Sequence, residues 1–389
     1  MAAERALHVW LVAGEESGDQ LGASLMRGLK ARVGEGALRF SGVGGHAMEG
    51  EGLKSLFPLA DVAVMGFTAI LARFPTLYKR VHATVDAAVA ANPDILVIID
   101  SPEFTHQVAK RVRKRAPSIP IVDYVSPSVW AWRPGRAAKM RAYVDHILAL
   151  LPFEPAAHES LGGPPCTYVG HPLVERVSRL RPAPGERAAV GSGPFKLLVL
   201  PGSRRTEITR LMEPFGETVR RLRDVSPQPL EVMLPAVAHL AADIEEAAKA
   251  WPVKPQIVHG EEAKWAAFRS AHGALAASGT VTLELALAGV PMVVGYRLSR
   301  LEEQITRFIK AHSIVLANLV LAENVVPEFI QNACNPETLA STLLPLMTDT
   351  PERRRQIEAF ERLDGLMIDP AESASERSAR IVLEMARRA

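Results

Sequence analysis

The sequence predicts an α/β protein of two doubly wound, mostly parallel domains, and three observations carry that prediction. Short aliphatic and β-branched runs without polar alternation recur between helical patterns, as strands covered on both faces require. A stretch rich in Pro, Gly and charge, "RLRPAPGERAAVGSGPF" (179–195), interrupts the alternation near the middle of the chain. Beyond it the same alternation resumes. A chain of 389 residues has room for two such domains with sizeable cores.

Taken in order, "HVWLVAG" (8–14), "DILVIID" (94–100), "IPIVDYV" (119–125) and "VDHILALL" (144–151) read as strands of a first domain spanning 1–178. After the 179–195 linker, "FKLLVLPGS" (195–203), "LEVMLPA" (230–236), "PQIVHG" (255–260), "HGALAAS" (272–278) and "PMVVGY" (291–296) read as strands of a second domain, 196–349. From 336 onward the pattern is helical, and these helices are expected to finish the second domain and, over 350–389, to pack back on the first. The longest apolar stretch, 273–296, carries Glu284 at its middle and Gly289 and Pro291 beyond it, which makes it a buried strand, helix and strand rather than a membrane span.

Composition narrows the function classes. With 48% hydrophobic and 23% charged residues the chain reads as a soluble globular protein. A net charge of +2 gives no global attraction for nucleic acid, and the local run "KRVRKR" (110–115) reads as a solvated helix face. Cys166 and Cys334 stand far apart with no metal-ligand spacing, so a reducing compartment and no structural metal are expected. The apolar start "ALHVWLVAG" is too short for a signal peptide, which makes a cytoplasmic location the expectation. No HExxH, DxD pair, GxSxG or GxGxxG occurs, so metal-free chemistry without a bound cofactor is the simplest inference.

In open α/β sheets ligands bind beyond the carboxyl ends of the strands, so those junctions hold the candidate residues. "AGEESGD" (13–19) turns from strand to helix through Gly14 and Gly18. Its carboxylates Glu15, Glu16 and Asp19 repel a pyrophosphate; they suit a hydroxyl-rich ligand such as a sugar, or simply complement the helix dipole. "GVGG" (42–45) reads as a plain turn. "IIDSPEF" (98–104) puts Asp100 at a strand end with Ser101 as helix cap and Pro102 at the first helical position, leaving Asp100 as an acceptor, a general base or a turn aspartate. "YVSPSVWAWRPGR" (124–136) concentrates two of the five tryptophans in one loop, which is costly to leave in water.

"LPGSRRTEI" (200–208) offers Gly202, Ser203, Arg204 and Arg205 ahead of a helix beginning near Thr206, a cradle for a diphosphate made of backbone N–H groups and guanidinium. It lacks the Gly-Lys-Ser/Thr of a P-loop. "ASGTVTLELALAG" (277–289) begins a helix at Ser278, Gly279 and Thr280, and Glu284 on its apolar body needs a partner, either a ribose diol or a buried salt bridge. In "VMGFTAILARFPTLYKR" (64–80), Phe67, Ile70, Leu71, Phe74, Leu77 and Tyr78 fall at helical spacing beside basic residues, with Pro75 breaking or restarting the helix.

"AGEESGD", "VMGF", "IDSPEF", "YVSPSVWAWRPGR", "LPFE" (151–154), "YVGHPL" (168–173), "LPGSR", "ASGTVTLE" and "PMVVGYR" (291–297), in that order over about 8–320, resemble the lipid-A-disaccharide synthase family. The resemblance implies a GT-B fold of two Rossmann-like domains facing across a cleft. It implies an inverting glycosyltransferase that joins UDP-2,3-diacylglucosamine to 2,3-diacylglucosamine 1-phosphate through a β(1→6) linkage, releasing UDP without a metal. The family setting is the cytoplasmic face of the inner membrane, so the protein would be a peripheral membrane enzyme, with Phe67, Ile70, Leu71 and Phe74 meeting an anionic surface. A homodimer is compatible with the pattern but not written in it.

The resemblance also distributes roles. Asp100 matches the general base. Gly202, Ser203, Arg204, Ser278, Gly279 and Thr280 would hold the diphosphate, Glu284 the ribose, and Asn318 in "LANLVLAE" the nucleotide. Glu15, Ser17, Asp19, Ser126, Trp130, Trp132 and Arg133 fall on the acceptor side, with Arg133 or Arg136 meeting phosphate. "GGHAM" (44–48) and "LANLVLAEN" (316–324) depart from the usual "GGPxM" and "LPNLLAG", which leaves acyl-chain preference and the detailed nucleotide contacts open. Two other readings stand beside this one: a UDP-sugar GT-B enzyme with another task, such as a UDP-N-acetylglucosamine 2-epimerase or an undecaprenyl-linked N-acetylglucosaminyltransferase, and a catalytically silent UDP-sugar or lipid binder.

Overall fold

The computed structural model describes residues 5–63, 74–298, 303, 311–369 and 371–387. Twelve strands among them form two six-stranded sheets, every pairing parallel. The chain divides into two compact units, Met1–Pro172 with Asp369–Ala389, and Leu173–Ile368.

The first sheet holds β1 (Leu7–Ala13), β2 (Leu38–Val43), β3 (Ile95–Ile99), β4 (Ile121–Tyr124), β5 (His146–Ala149) and β6 (Cys166–Tyr168), in the order β2-β1-β3-β4-β5-β6. β3 shows why such strands read as continuous apolar runs. Leu96 and Ile98 enter the core on one face, Ile95, Val97 and Ile99 the core on the other, and all five are buried. The second sheet holds β7 (Phe195–Leu200), β8 (Leu230–Ala236), β9 (Gln256–His259), β10 (Gly273–Ala276), β11 (Met292–Tyr296) and β12 (Glu328–Ile330), ordered β12-β11-β10-β7-β8-β9. The 273–296 stretch is β10, the helix Thr280–Leu287 and β11. Among the described residues no helix is long and apolar enough to cross a membrane.

Three strands were not among those expected from sequence: β2, β6 and β12. Each is a sheet edge, and none is continuously buried, so each lacks the apolar run that marks the central strands.

The division between units falls after Pro172, ahead of the 179–195 stretch, and that stretch is bound into the second unit. Arg187 donates to the carbonyls of Phe268, Arg269, Ala288 and Gly289, capping the C-terminal ends of the helices Glu261–Ser270 and Thr280–Leu287. Arg181 forks onto Asp364 and also donates to Leu287 O. The C-terminal helices part company: Pro351–Met367 lies in the second unit, whereas Ala374–Arg387 packs on the helix Glu16–Val33 of the first, where Ala379, Ile381, Val382 and Leu383 join the core containing Leu25, Met26 and Leu29.

Candidate active site

Each sheet reverses its winding once. In the first the switch lies between β1 and β3, in the second between β10 and β7. The crevice beyond the carboxyl ends of two such strands is where α/β folds bind ligands, because the connections leave in opposite directions and open a gap between loops. The residues expected from sequence at the ends of β1, β3, β7 and β10 therefore stand at the two switch points.

At the first, the loops after β1 and β3 meet. Ser17 Oγ donates to Asp100 Oδ2 at 3.2 Å, and the Ser101 N–H donates to Asp100 Oδ1 at 2.8 Å. Asp100 (φ 54°) and Ser101 (φ 44°) both occupy the left-handed region, at a cost of about 1–2 kcal/mol per residue. The surroundings hold them there. Asp100 N–H donates to Tyr124 O, Thr105 Oγ1 donates to both carbonyls, and the N–H groups of Phe104 and Thr105 close on Ser101 O. The helix consequently starts at Thr105, with Ser101 in the preceding turn rather than capping it and Pro102 outside the first helical turn. Gly14 is required for the approach of the two loops, since a Cβ there would lie 2.3 Å from Ser101 Cβ.

Asp19 is corrected by the structure. It is fully buried and accepts from the N–H groups of Gly45, Ala47 and Met48 at 2.7–3.1 Å, so it ties "GGHAM" to the helix Glu16–Val33 instead of facing a ligand. Glu15 is half-buried at the N-cap position of that helix.

The loop 124–136 leaves the carboxyl end of β4, with Val125 at φ 87° and Arg133 at φ 54°. It is pinned from beneath. Ser126 Oγ lies 2.7 Å from His158 Nε2, and Trp130 Nε1 donates to Glu154 Oε1 at 3.2 Å while its ring meets Phe153 edge-on. Glu154 Oε2 accepts from the N–H groups of Leu150 and Leu151. Burial pushes the Glu154 carboxyl up to about 7 and holds His158 below its ordinary value. Asp123, on β4, pairs with His106 Nε2 at 3.1 Å, and His106 Nδ1 reaches Tyr143 Oη at 3.1 Å. At the outer end Arg133 stacks on Trp132, 4.1 Å from the ring centre, and Arg136 approaches Glu103 at 3.8 Å.

At the second switch point Gly202 (φ 112°) lets the chain turn over the Glu207 carboxylate, which a Cβ at this position would strike at 2.3 Å. Glu207 Oε2 accepts from the N–H groups of Ser203 (2.9 Å) and Arg204 (3.1 Å), and Oε1 from Tyr296 Oη (3.0 Å). The expectation that these two N–H groups cradle a diphosphate is corrected accordingly: they are spent on Glu207. The cationic part of the cradle is tied to the same carboxylate: Arg204, with 62% of its side chain exposed, reaches Glu207 Oε1 at 3.4 Å, and Arg205 pairs with Asp243 at 2.8 Å.

Across the switch, Gly279 (φ 141°) and Thr280 are exposed at the start of the helix Thr280–Leu287, whereas Ser278 Oγ donates to Ile314 O at 2.7 Å. Glu284 has found a salt bridge, its Oε2 standing 2.6 Å from Lys264 Nζ. Asn318 is corrected as a direct nucleotide contact. It is fully buried, its Nδ2 donates to Ser313 Oγ and Val326 O, and its Oδ1 accepts from Val325 and Val326 N–H, so it braces the segment rather than presenting its amide. Among the described residues no group of three or more His, Cys, Asp and Glu comes together that could hold a metal ion.

Sequence reasoning passed over Glu207, Glu154, His158 and Lys264. Glu207 carried a signal, since it stands three residues after Arg204 at capping-box spacing. Lys264 carried none, being twenty residues from Glu284 on another helix.

The fold places the chain in a class. It is similar in structure to a UDP-GlcNAc 2-epimerase from Neisseria meningitidis, with a TM-score of 0.62 and 12% identity over 98% of this chain and 100% of that one. MurG of Acinetobacter baumannii gives a TM-score of 0.57 and 14% identity over 97% and 99%. The class is the GT-B architecture of two Rossmann-like domains.

Sequence similarity goes further. The family model described as Lipid-A-disaccharide synthetase matches residues 9–381. A lipid-A-disaccharide synthase of Nitrobacter hamburgensis is 56% identical over 384 residues, covering 98% of this chain and 96% of that one. Those of Bradyrhizobium diazoefficiens and Rhodospirillum centenum are 53% and 42% identical, each over at least 97% of this chain and 94% of theirs. The chain belongs to the lipid-A-disaccharide synthetase family, and it is thereby a glycosyltransferase of lipid A biosynthesis.

Proposed function

We propose that the protein condenses UDP-2,3-diacylglucosamine with 2,3-diacylglucosamine 1-phosphate by an inverting displacement. The observation that carries this reading is the placement of Asp100, held at a strained left-handed turn at the first switch point and hydrogen-bonded to Ser17. Strain of this kind persists where the surroundings over-determine it and concentrates at functional sites. Asp100 takes the proton of the acceptor's 6-hydroxyl, the oxygen attacks the anomeric carbon of the donor from the face opposite UDP, and the bond from that carbon to the diphosphate oxygen breaks. The product is the β(1→6) disaccharide 1-phosphate, with UDP as leaving group.

The exposed Arg204 guanidinium and the helix start at Gly279 and Thr280 stabilise the charge that grows on the diphosphate. Ser203 supplies its side chain there, and Gly202 the turn. Glu284, oriented by Lys264, takes the ribose diol through its other oxygen. On the acceptor side, Glu15 and Ser17 face the sugar, while Trp130, Trp132 and Arg133 of the loop anchored through Ser126 line the site for the acyl-sugar phosphate.

The measurement that tests this reading is UDP release from UDP-2,3-diacylglucosamine in detergent, with and without the acceptor, in the presence of a chelator. Release that depends on the acceptor, survives chelation and yields a disaccharide is the expected result. Release without acceptor would point to the epimerase-like or hydrolytic alternatives, and UDP binding without release to a silent binder.

The reading places the enzyme at the cytoplasmic face of an anionic membrane. Phe67, Ile70 and Leu71 lie outside the described residues. Phe74 and Tyr78, at the start of the helix Phe74–Ala91, are 59% and 53% exposed, and exposed aromatics beside the exposed Lys79 suit an interfacial patch, whereas Arg80 is paired with Asp61. Replacing Phe67, Ile70 and Phe74 together with serine is expected to lower co-sedimentation with anionic vesicles severalfold while UDP affinity stays unchanged. Equal sedimentation of variant and parent would remove the patch from the account.

A further inference from the structure

Beneath the loop 124–136 lies a buried polar cluster that the reaction as described does not use. Glu154 is 4% exposed, yet its carboxylate takes three donors from two separate segments. Two are the backbone N–H groups of Leu150 and Leu151, immediately after β5; the third is the indole N–H of Trp130. A carboxylate taken this far out of water is retained only with several donors around it. Here the donors comprise a rigid strand end and the middle of the aromatic loop, so the charge fastens one to the other.

We propose that Glu154 is a positioning residue for the transfer reaction: through Trp130 it sets the placement of the loop 124–136 against the acceptor. The inference rests on the reading of that loop as acceptor-binding. Phe153 packs edge-on against the same indole, and Ser126 is held by His158 from the same helix as Glu154, so Phe153 and the helix Glu154–Ser160 fix the loop at two points. The groups that face Glu154 are the Trp130 indole and the Leu150 and Leu151 N–H groups, which favour its ionised form, and Asp123 of β4, which opposes it. Burial holds the His158 imidazole of the same helix below its ordinary value, with Asp123 acting against it, and the Cys166 thiol of β6 is pushed up by burial with Glu154 adding to the effect.

Since burial pushes the Glu154 carboxyl up to about 7, its charge changes near neutral pH. As pH rises through that value the acceptor oxygen becomes negative and the bond from Trp130 shortens and strengthens. The loop is then held more firmly, so the KM for acceptor falls with rising pH.

The test is a pair of variants, Glu154→Gln and Trp130→Phe, with their combination, assigned in the full chain by the indole N–H resonances of its five tryptophans. Glutamine keeps an oxygen for the Leu150 and Leu151 N–H groups but turns its NH2 toward the indole, where two donors cannot bond. In the parent, the Trp130 resonance is expected to move downfield as pH rises through about 7; in Glu154→Gln it is expected to stay shifted and flat. The KM for acceptor is expected to rise about tenfold in either single variant and no further in the double, with the KM for donor within twofold, as for loss of one charge-assisted hydrogen bond.

A Trp130 resonance that ignores both pH and Glu154→Gln would overturn the positioning role, whatever the kinetics. A resonance that responds while the KM for acceptor does not would show that Glu154 holds the loop but the loop does not meet the acceptor, overturning the role by way of the reading on which it rests. Trp130→Phe, which leaves the Glu154 backbone anchor intact, keeps the question answerable if Glu154→Gln folds poorly.

Discussion

Asp100→Ala is expected to lower kcat by about 10²–10⁴, the range by which a positioned general base accelerates proton transfer, while UDP affinity stays within twofold. The alanine variant alone would be ambiguous, because position 100 sits at φ 54° and alanine tolerates the left-handed region less well than asparagine or aspartate. Asp100→Asn resolves the ambiguity. Asparagine adopts this conformation readily, keeps an oxygen for the Ser101 N–H, turns its NH2 toward Ser17 Oγ, which can accept, and cannot take a proton. If Asp100 is the base, both variants are equally inactive under single-turnover conditions, and neither changes the denaturation midpoint by much. An asparagine variant with near-parental turnover would assign Asp100 to holding the turn and leave the base to be found elsewhere.

The second large effect is expected at Glu207. Glu207 is 6% exposed and its carboxylate holds the N–H groups of Ser203 and Arg204 and the hydroxyl of Tyr296 in place, so Glu207→Ala removes three hydrogen bonds at once. Loss of stability of about 3 kcal/mol is expected, read as a lower urea midpoint, together with a fall in UDP affinity of at least tenfold as the turn bearing Arg204 loses its shape. Glu207→Gln is expected to recover most of the stability, since its amide oxygen serves the two N–H groups and its NH2 donates to the Tyr296 hydroxyl. An alanine variant that unfolds at the parental midpoint would show that the turn is held by its backbone alone.

This arrangement changes what the "LPGSR" motif means physically. A glycine-bearing turn before a helix ordinarily offers its N–H groups to an anion. In this protein an internal carboxylate already occupies that position, and it also meets the largely exposed Arg204 guanidinium at 3.4 Å. On the proposed reading a diphosphate would be met here by side chains, with the backbone donors used to set the geometry of the turn.

Central strands were legible in the sequence, because a parallel strand covered on both faces must be apolar at every position, as β3 and β10 are. The edge strands β2, β6 and β12 were not, because partial exposure permits Arg39, Thr167 and Glu328 within them and breaks the run. The helix start expected at Pro102 moved to Thr105 because the strained pair Asp100 and Ser101 uses the donors and acceptors that a cap would need.

By itself the sequence determined the two α/β halves, the junctions where chemistry-bearing residues gather, and, through its ordered motifs, the family. These are properties of local order: the length of an apolar run, a glycine at a turn, a residue just past a strand. Only the tertiary structure decided which of those residues are presented and which are consumed. Asp19 and Asn318 carry ligand-like side chains, yet sheet order and loop packing bring backbone donors and acceptors to them and satisfy them completely. Glu154 and Lys264 acquire partners 24 and 20 residues away for the same reason. A buried polar group is satisfied by whatever the fold places within hydrogen-bonding distance, and that distance is set by strand order, which no local pattern encodes.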